Sequence, residues 1–363
     1  MFQRSFTVDI LKVLAAQLIV WHHLAAYGPM TELIQLQWPH LIEHLYYDAR
    51  LAVQIFLVVA GFLAAKSVNN RPVTEFASPI FKRYLRLTPI YYLAILLISL
   101  AVALTRPYIQ ADWLPEPVTW GELGAHFFLV HAILKIPALS SGVWYVAIDF
   151  QLYVVLIALA YALQTPRTWM RLGGPYVLSI GVAMVCAASM LWFNRFESYD
   201  NWALYFFGAY GLGVLAAWSK RSRIDAIVFG CVVAIALYAL WIDPRSRLAL
   251  ALTTAIWLAI RPKGTDHWTP MKRVLHRLSN SAYAQFLSHF GVIVVFSYMW
   301  KVSQFSGAST ALGICIFAWL CSMGLGLFLY EKAELPMHHW LTHQFKKLSL
   351  IFQKYFSKPS LTI

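Results

Sequence analysis

Apolar residues run through this chain in long blocks, each broken by a short polar segment. The blocks are about 17–20 residues long, the length of an α-helix that crosses a bilayer core. They predict spans at roughly 8–27, 48–68, 86–105, 142–163, 174–193, 202–218, 225–241, 247–261, 281–300 and 309–330. The stretch 122–136 is too short and too polar at its ends to cross, and reads as an interfacial or re-entrant helix. The expected fold is all-α: a polytopic membrane helix bundle with about ten transmembrane helices. No internal repeat of the kind many transporters carry is visible.

Composition sharpens the picture. Of 363 residues, 60% are hydrophobic and 12% charged, against about 25% charged in soluble proteins. A net charge of +13 would suggest nucleic acid in a soluble protein. Here the basic residues fall in the segments between apolar blocks, and no nucleic-acid-reading motif accompanies them. With the N-terminus placed in the cytoplasm, inside segments hold 20 Lys and Arg and outside segments 7, with Lys12 and Lys66 inside spans. Every alternation obeys the positive-inside rule, so both termini are expected in the cytoplasm. Residues 1–27 lack a small-residue cleavage site and read as an uncleaved first helix. The four cysteines sit inside apolar blocks, without zinc spacing or a disulfide framework. Residues 337–363 form a basic amphipathic tail, expected to lie on the cytoplasmic leaflet.

Polar residues inside spans are costly and therefore candidates for function. Asp9 and Lys12 are three apart in the first span and share a face. His23 lies eleven residues beyond Lys12, about three turns, on the same stripe and about 16 Å deeper. An imidazole suits proton abstraction from a hydroxyl near neutral pH. Arg83 and Arg86, three apart beside the third span, form a guanidinium patch suited to phosphates, including those of coenzyme A. Asp149, in the fourth span with Trp144 and Tyr153, lies at a depth similar to that of His23 and is placed to orient it. His289 and Glu334 read first as structural groups. The pairs His40/His44 and His339/His343 have i, i+4 spacing but no third ligand, so no metal is expected.

Taken in order, these segments resemble the acyltransferase 3 family, membrane enzymes that acylate, usually O-acetylate, sugars and other acceptors. The likeness runs from residue 8 to 336. It comprises Asp9, Lys12 and His23; the aromatic segment Phe56 to Leu63; Arg83, Arg86 and Pro89; Trp144, Asp149 and Tyr153; Tyr283, Phe286, Leu287 and His289; and Tyr330, Glu334 and Pro336. Lys12 stands where Arg is commoner, Asp149 where Glu is, and Phe286 where Tyr is.

The resemblance implies a membrane domain over 1–336, standing alone without a C-terminal esterase-like domain, in a bacterial inner membrane. It implies O-acyl transfer from cytoplasmic acyl-CoA, most simply acetyl-CoA, without a metal. The acceptor would be a cell-surface polysaccharide, a lipid-linked sugar or another exported molecule. Arg83 and Arg86 would bind the donor phosphates beside Lys12. His23 would be the general base, oriented by Asp149, with Asp9, Trp144, Tyr153, His289 and Glu334 in support. Direct attack and an acyl-His23 relay both remain open. Two rival readings are a transporter or flippase for a glycolipid or small acid, and a catalytically inactive acyltransferase relative.

Overall fold

The computed structural model describes residues 6–68, 75–163, 176–260 and 269–344, and within them there is no β-strand. The helices are α1 (Phe6–Ala26), α2 (Met30–Gln37), α3 (Pro39–Tyr47), α4 (Val53–Ala64), α5 (Ala77–Thr105), α6 (Trp120–Phe127) and α7 (Val143–Leu163). They continue as α8 (Tyr176–Leu191), α9 (Ala203–Trp218), α10 (Arg223–Ile242), α11 (Ser246–Ile260), α12 (Pro270–Ser303) and α13 (Ala308–Leu329). Among the described residues eight helices are long and apolar enough to cross a membrane, and α9 and α11 are shorter apolar helices. Each predicted span coincides with one of these elements. The chain is a multi-pass helical membrane protein.

Several boundaries differ from expectation. α5 begins at Ala77 rather than near 86, and α12 at Pro270 rather than near 281. Their first turns carry Lys82, Arg83, Arg86, Lys272, Arg273 and Arg277, so a hydropathy reading stops short of helix that backbone hydrogen bonding continues. The stretch 122–136 is not one helix. α6 covers eight residues behind a capping box between Thr119 and Glu122. Turns follow, with Leu129 and Lys135 in the left-handed region at φ 57° and 56°.

Beyond α13 the helix does not stop at Glu334. Tyr330–Glu334 form a π-turn in which the Leu335 N–H reaches back five residues to the Tyr330 carbonyl. Helix then continues to residue 344. Pro336 has no N–H to donate at this point, so regular i→i−4 bonding is already broken there. The rest of the expected tail, 345–363, lies outside the described residues.

Packing depends on small residues and on buried amides, as it must where lipid removes the hydrophobic drive between helices. α9 is buried along nearly its whole length, packed mainly on α4 and α8. A Cβ at Gly213 would collide with the Val58 carbonyl, and one at Gly61 with the Tyr210 carbonyl. The backbones of α4 and α9 therefore touch. α12 packs on α13, α1 and α5. Gln17 of α1 and Gln285 of α12 exchange two amide hydrogen bonds at 3.0 and 3.1 Å. The Trp319 indole N–H of α13 donates to the Gln17 carbonyl oxygen at 2.7 Å. Three helices are thus locked in register at mid-length.

Replacing Gly213 with Val should lower the unfolding midpoint in detergent by the equivalent of about 1–3 kcal/mol, the usual result of overpacking. A variant as stable as the parent would show that α4 and α9 have slack between them.

Candidate active site

The stripe read on α1 exists, and α12 is what it faces. Near the start of α1, Asp9 accepts from Ser279 Oγ at 2.6 Å and from His276 Nδ1 at 3.1 Å. Lys12 Nζ donates to the Ser279 carbonyl at 2.5 Å. Three turns on, His23 is 7% exposed and meets His289, which is fully buried. His289 was expected to be a structural group in the cytoplasmic half of its span. It lies near the middle of α12, level with His23.

The tautomers of this pair follow from its partners. His289 Nδ1 lies 2.7 Å from the Phe286 carbonyl oxygen. A carbonyl only accepts, so His289 Nδ1 carries the proton and its Nε2 is bare. That Nε2 lies 2.7 Å from His23 Nδ1, so His23 donates through Nδ1–H and its own Nε2 is bare. The rings are nearly parallel, at 14°, with centroids 4.9 Å apart. Among the described residues His23 Nε2 has no hydrogen-bond partner. It is a base held in one protonation pattern by a neutral imidazole and a backbone carbonyl.

Asp149 is not that partner, contrary to expectation. Its Oδ2 accepts from Arg83 at 2.5 Å, and the side chains are 5% and 18% exposed. The Arg83 guanidinium also lies over the Tyr153 ring, 5.3 Å from its centroid. Arg83 is therefore not half of a solvent-facing phosphate patch. It sits two turns inside α5, paired across to α7. Asp149 lines the cavity at the N-terminal end of α1, not that of His23, so depth along a single helix gave it neither the right level nor the right neighbour. Arg86, one turn on, is exposed and makes no ion pair among the described residues.

Two cavities flank this core. One, of about 470 Å³ at the N-terminal end of α1, is lined by Asp9, Lys12, Arg83, Arg86, Tyr145, Asp149, Tyr283, Phe286 and Glu334. The π-turn presents Glu334 here, with its Oε2 buried and unpartnered among the described residues. The other, of about 570 Å³ at the far end of α1, is lined by His22, His23, Arg50, Gln54, Trp113, Ser140, Ser141, Trp144, Arg247 and Phe286. Phe286 belongs to both linings. Its ring packs with Phe56 and Tyr145, the three centroids being 5.4–5.9 Å apart. An aromatic septum thus divides the cavity of Arg86 and Lys12 from the cavity of His23.

A buried imidazole with a free nitrogen facing a cavity, a second cavity edged by cations and a thin partition between them suit group transfer between two substrates. A family model described as an acyltransferase domain matches residues 6–329. The chain belongs to the acyltransferase 3 family. No curated relative and no solved structure matches it. Membership of the acyltransferase 3 family makes the chain an acyltransferase of membrane type and implies an acyl donor. Among the described residues no group of three His, Cys, Asp or Glu is placed to hold a metal. Asp9, Lys12, Arg83, Arg86, Asp149 and Glu334 surround the first cavity, and His23 and Trp144 the second. Tyr153 lies under Arg83, and His289 stands behind His23. Sequence reasoning missed the pairing of His289 and His23, the anchoring of Asp9 by His276 and Ser279, and the serines at 140 and 141.

Removing one partner of the Arg83–Asp149 pair should be worse than removing both. Asp149→Asn should cost about 3–5 kcal/mol by leaving a buried guanidinium uncompensated. Adding Arg83→Gln to it should recover part of that loss in detergent unfolding. Strict additivity would show that the two groups do not interact.

The segment between α5 and α7 carries its own titration. His131 stacks on His126 with centroids 4.0 Å apart, and burial together with its neighbour pushes His131 down to about 3. The folded state holds His131 neutral while the unfolded chain protonates near 6.5. Its contribution is therefore intact above 6.5 and is lost as pH falls towards 3. Protection factors in residues 128–141, corrected for the intrinsic pH dependence of amide exchange, should fall between about pH 6.5 and 4.5, and His131→Phe should flatten that fall. An equal fall in the variant would place the acid sensitivity elsewhere.

Proposed function

We propose that the chain transfers an acyl group, most simply acetyl, from cytoplasmic acyl-CoA to a hydroxyl of an exported glycan, lipid-linked sugar or similar acceptor. The donor occupies the cavity at the N-terminal end of α1. Arg86, exposed at its edge, meets the donor phosphates, and Lys12 lines the path inward. Arg83 keeps its ion pair with Asp149 and shapes the wall. The positive-inside distribution supports this end as the cytoplasmic one, with the membrane a bacterial inner membrane and the His23 cavity facing the acceptor side.

The reaction follows from the tautomers. The acceptor O–H gives its proton to His23 Nε2 as the oxygen attacks the thioester carbon. A C–O bond forms, the tetrahedral intermediate collapses and the C–S bond breaks. The departing thiolate takes the proton from the His23 imidazolium and leaves as free CoA. His289 accepts from His23 Nδ1–H throughout, spreading the transient charge over two rings. Direct transfer of this kind needs no covalent enzyme intermediate.

The observation that carries this reading is the bare Nε2 of His23, fixed by His289 and the Phe286 carbonyl and opening on a cavity that shares Phe286 with the donor cavity. Purified protein in nanodiscs, given radiolabelled acetyl-CoA and a glycan extract, should release CoA and label the glycan. His23→Ala should abolish transfer. His289→Phe, which offers no acceptor to His23, should reduce it about 100-fold or more. His289→Gln, which keeps one, should lose less. Transfer at the parental rate by His23→Ala would refute the assignment, and glycan movement without acetyl-CoA consumption would favour a transporter.

A further inference from the structure

The loop that enters α7 carries two hydroxyls which the fold buries and then leaves without partners. Ser140 is 2% exposed, and neither Ser140 Oγ nor Ser141 Oγ has a hydrogen-bond partner among the described residues. Both line the His23 cavity. Buried hydroxyls are nearly always paired, and an orphan is unfavourable. Two in succession beside a catalytic cavity call for a partner from outside the chain.

The loop is not free to turn them elsewhere. The Leu139 N–H donates to His126 Nε2 at 3.2 Å, and the Val143 N–H donates to the Ser140 carbonyl at 3.3 Å. On the other side the backbone at Gly142 lies flat against α12. A Cβ there would stand 2.7 Å from the Phe286 carbonyl oxygen, the same oxygen that fixes the tautomer of His289. The serine pair is thus held against the group that orients the catalytic imidazole.

The same cavity is lined by Arg50 and Arg247. Arg247 donates to the Tyr205 hydroxyl at 3.1 Å, and Arg50 lies over the Tyr47 ring, 5.7 Å from its centroid. Neither has an ion pair among the described residues. Asp200 also lines the cavity and is exposed, so the wall keeps a positive excess. Trp113 and Trp144 add flat faces to the lining.

We propose that Ser140 and Ser141 hold hydroxyls of the acceptor, that Arg50 and Arg247 hold an acidic group on it, and that the acceptor is therefore an anionic pyranoside rather than a neutral one. The serines bind and position the ring so that a neighbouring hydroxyl meets His23 Nε2. This rests on the acyl-transfer reading and narrows it to one charge class of acceptor.

The test uses the full chain in nanodiscs with radiolabelled acetyl-CoA and two probes, methyl glucuronide and methyl glucoside. The glucuronide should be acetylated with a KM at least about tenfold lower, the weight of one charge-assisted hydrogen bond. Raising the salt concentration should narrow the gap. Ser140→Ala/Ser141→Ala should raise the glucuronide KM about tenfold with little change in kcat. Ser140→Ala/Ser141→Thr, which keeps one hydroxyl, should recover part of it. Arg247→Gln should raise the glucuronide KM and leave the glucoside KM near its starting value. Each variant is checked for a parental elution volume, and for one that misfolds, isotope-edited binding of the glucuronide to the parent by NMR replaces it, with saturation transfer expected at the ring protons. Equal KM values for the two probes, an unchanged KM in the serine variant, or no saturation transfer would overturn the proposal. Acetyl-CoA consumed in a His23-dependent way with neither probe labelled would overturn it while sparing the acyl-transfer reading. No His23-dependent consumption at all would remove both.

Discussion

One backbone carbonyl, that of Phe286, decides what the buried imidazoles do. Its oxygen can only accept, so the hydrogen bond from His289 has one direction, and the bond from His23 inherits it. Neither ring can then exchange roles with the other. In better-known hydrolytic sites a carboxylate holds the histidine. A carboxylate at this depth would have to be stripped of water, at several kcal/mol. A neutral imidazole backed by a carbonyl orients His23 without placing a charge in the apolar interior. In the proposed reaction, positive charge forming on His23 is then met by a neighbouring ring rather than by an opposite charge.

The formal charges near the centre are arranged to respect that. Arg83 and Asp149 neutralise one another across α5 and α7, and Asp9 is matched by His276 and Ser279 of α12. The cavity at the N-terminal end of α1 keeps Arg86 exposed, where the proposed donor can reach it. The amide ladder of Gln17, Gln285 and Trp319 lies between the two ends of α1 and ties the helices that carry the imidazoles. Polar groups thus hold α1, α12 and α13 together, and Gly61 and Gly213 bring α4 and α9 into contact.

The sequence made the helices legible because about 20 apolar residues in a row have few other uses. The Lys12–His23 stripe was legible too, because spacing along one helix is fixed by 3.6 residues per turn. Lateral neighbours were not. Asp149 and His23 were read at similar depths on different helices, yet they line different cavities, and nothing in either span says that Arg83 will reach Asp149 first. That error traces to the start of α5. Placing Arg83 in a loop made it a phosphate ligand, whereas two further turns of helix make it a buried partner. The same undercount at the start of α12 set His289 in the cytoplasmic half of its span, whereas it lies near the middle of the helix. Ser140 and Ser141 carried no signal, since a Ser-Ser-Gly run before a helix is ordinary turn chemistry until the cavity behind it is known.

The septum imposes a constraint that any transfer through this bundle must meet. In the proposed reaction the attacking oxygen has to come within about 3–3.5 Å of the thioester carbon, yet His23 and Arg86 line cavities divided by Phe56, Tyr145 and Phe286. The passage cannot be opened by shifting the α12 backbone at Phe286. That carbonyl holds His289, and Gly142 is pressed against it. Moving it would release the tautomer on which the proposed proton abstraction depends. Opening therefore falls to the rings themselves. Phe286 can swing about its side-chain bonds while its carbonyl stays fixed, because one residue supplies both the movable wall and the immobile acceptor. Closed, the three rings would keep water on the His23 side from the thioester of the proposed donor, whose hydrolysis would waste it. The partition and the base thus answer to the same residue.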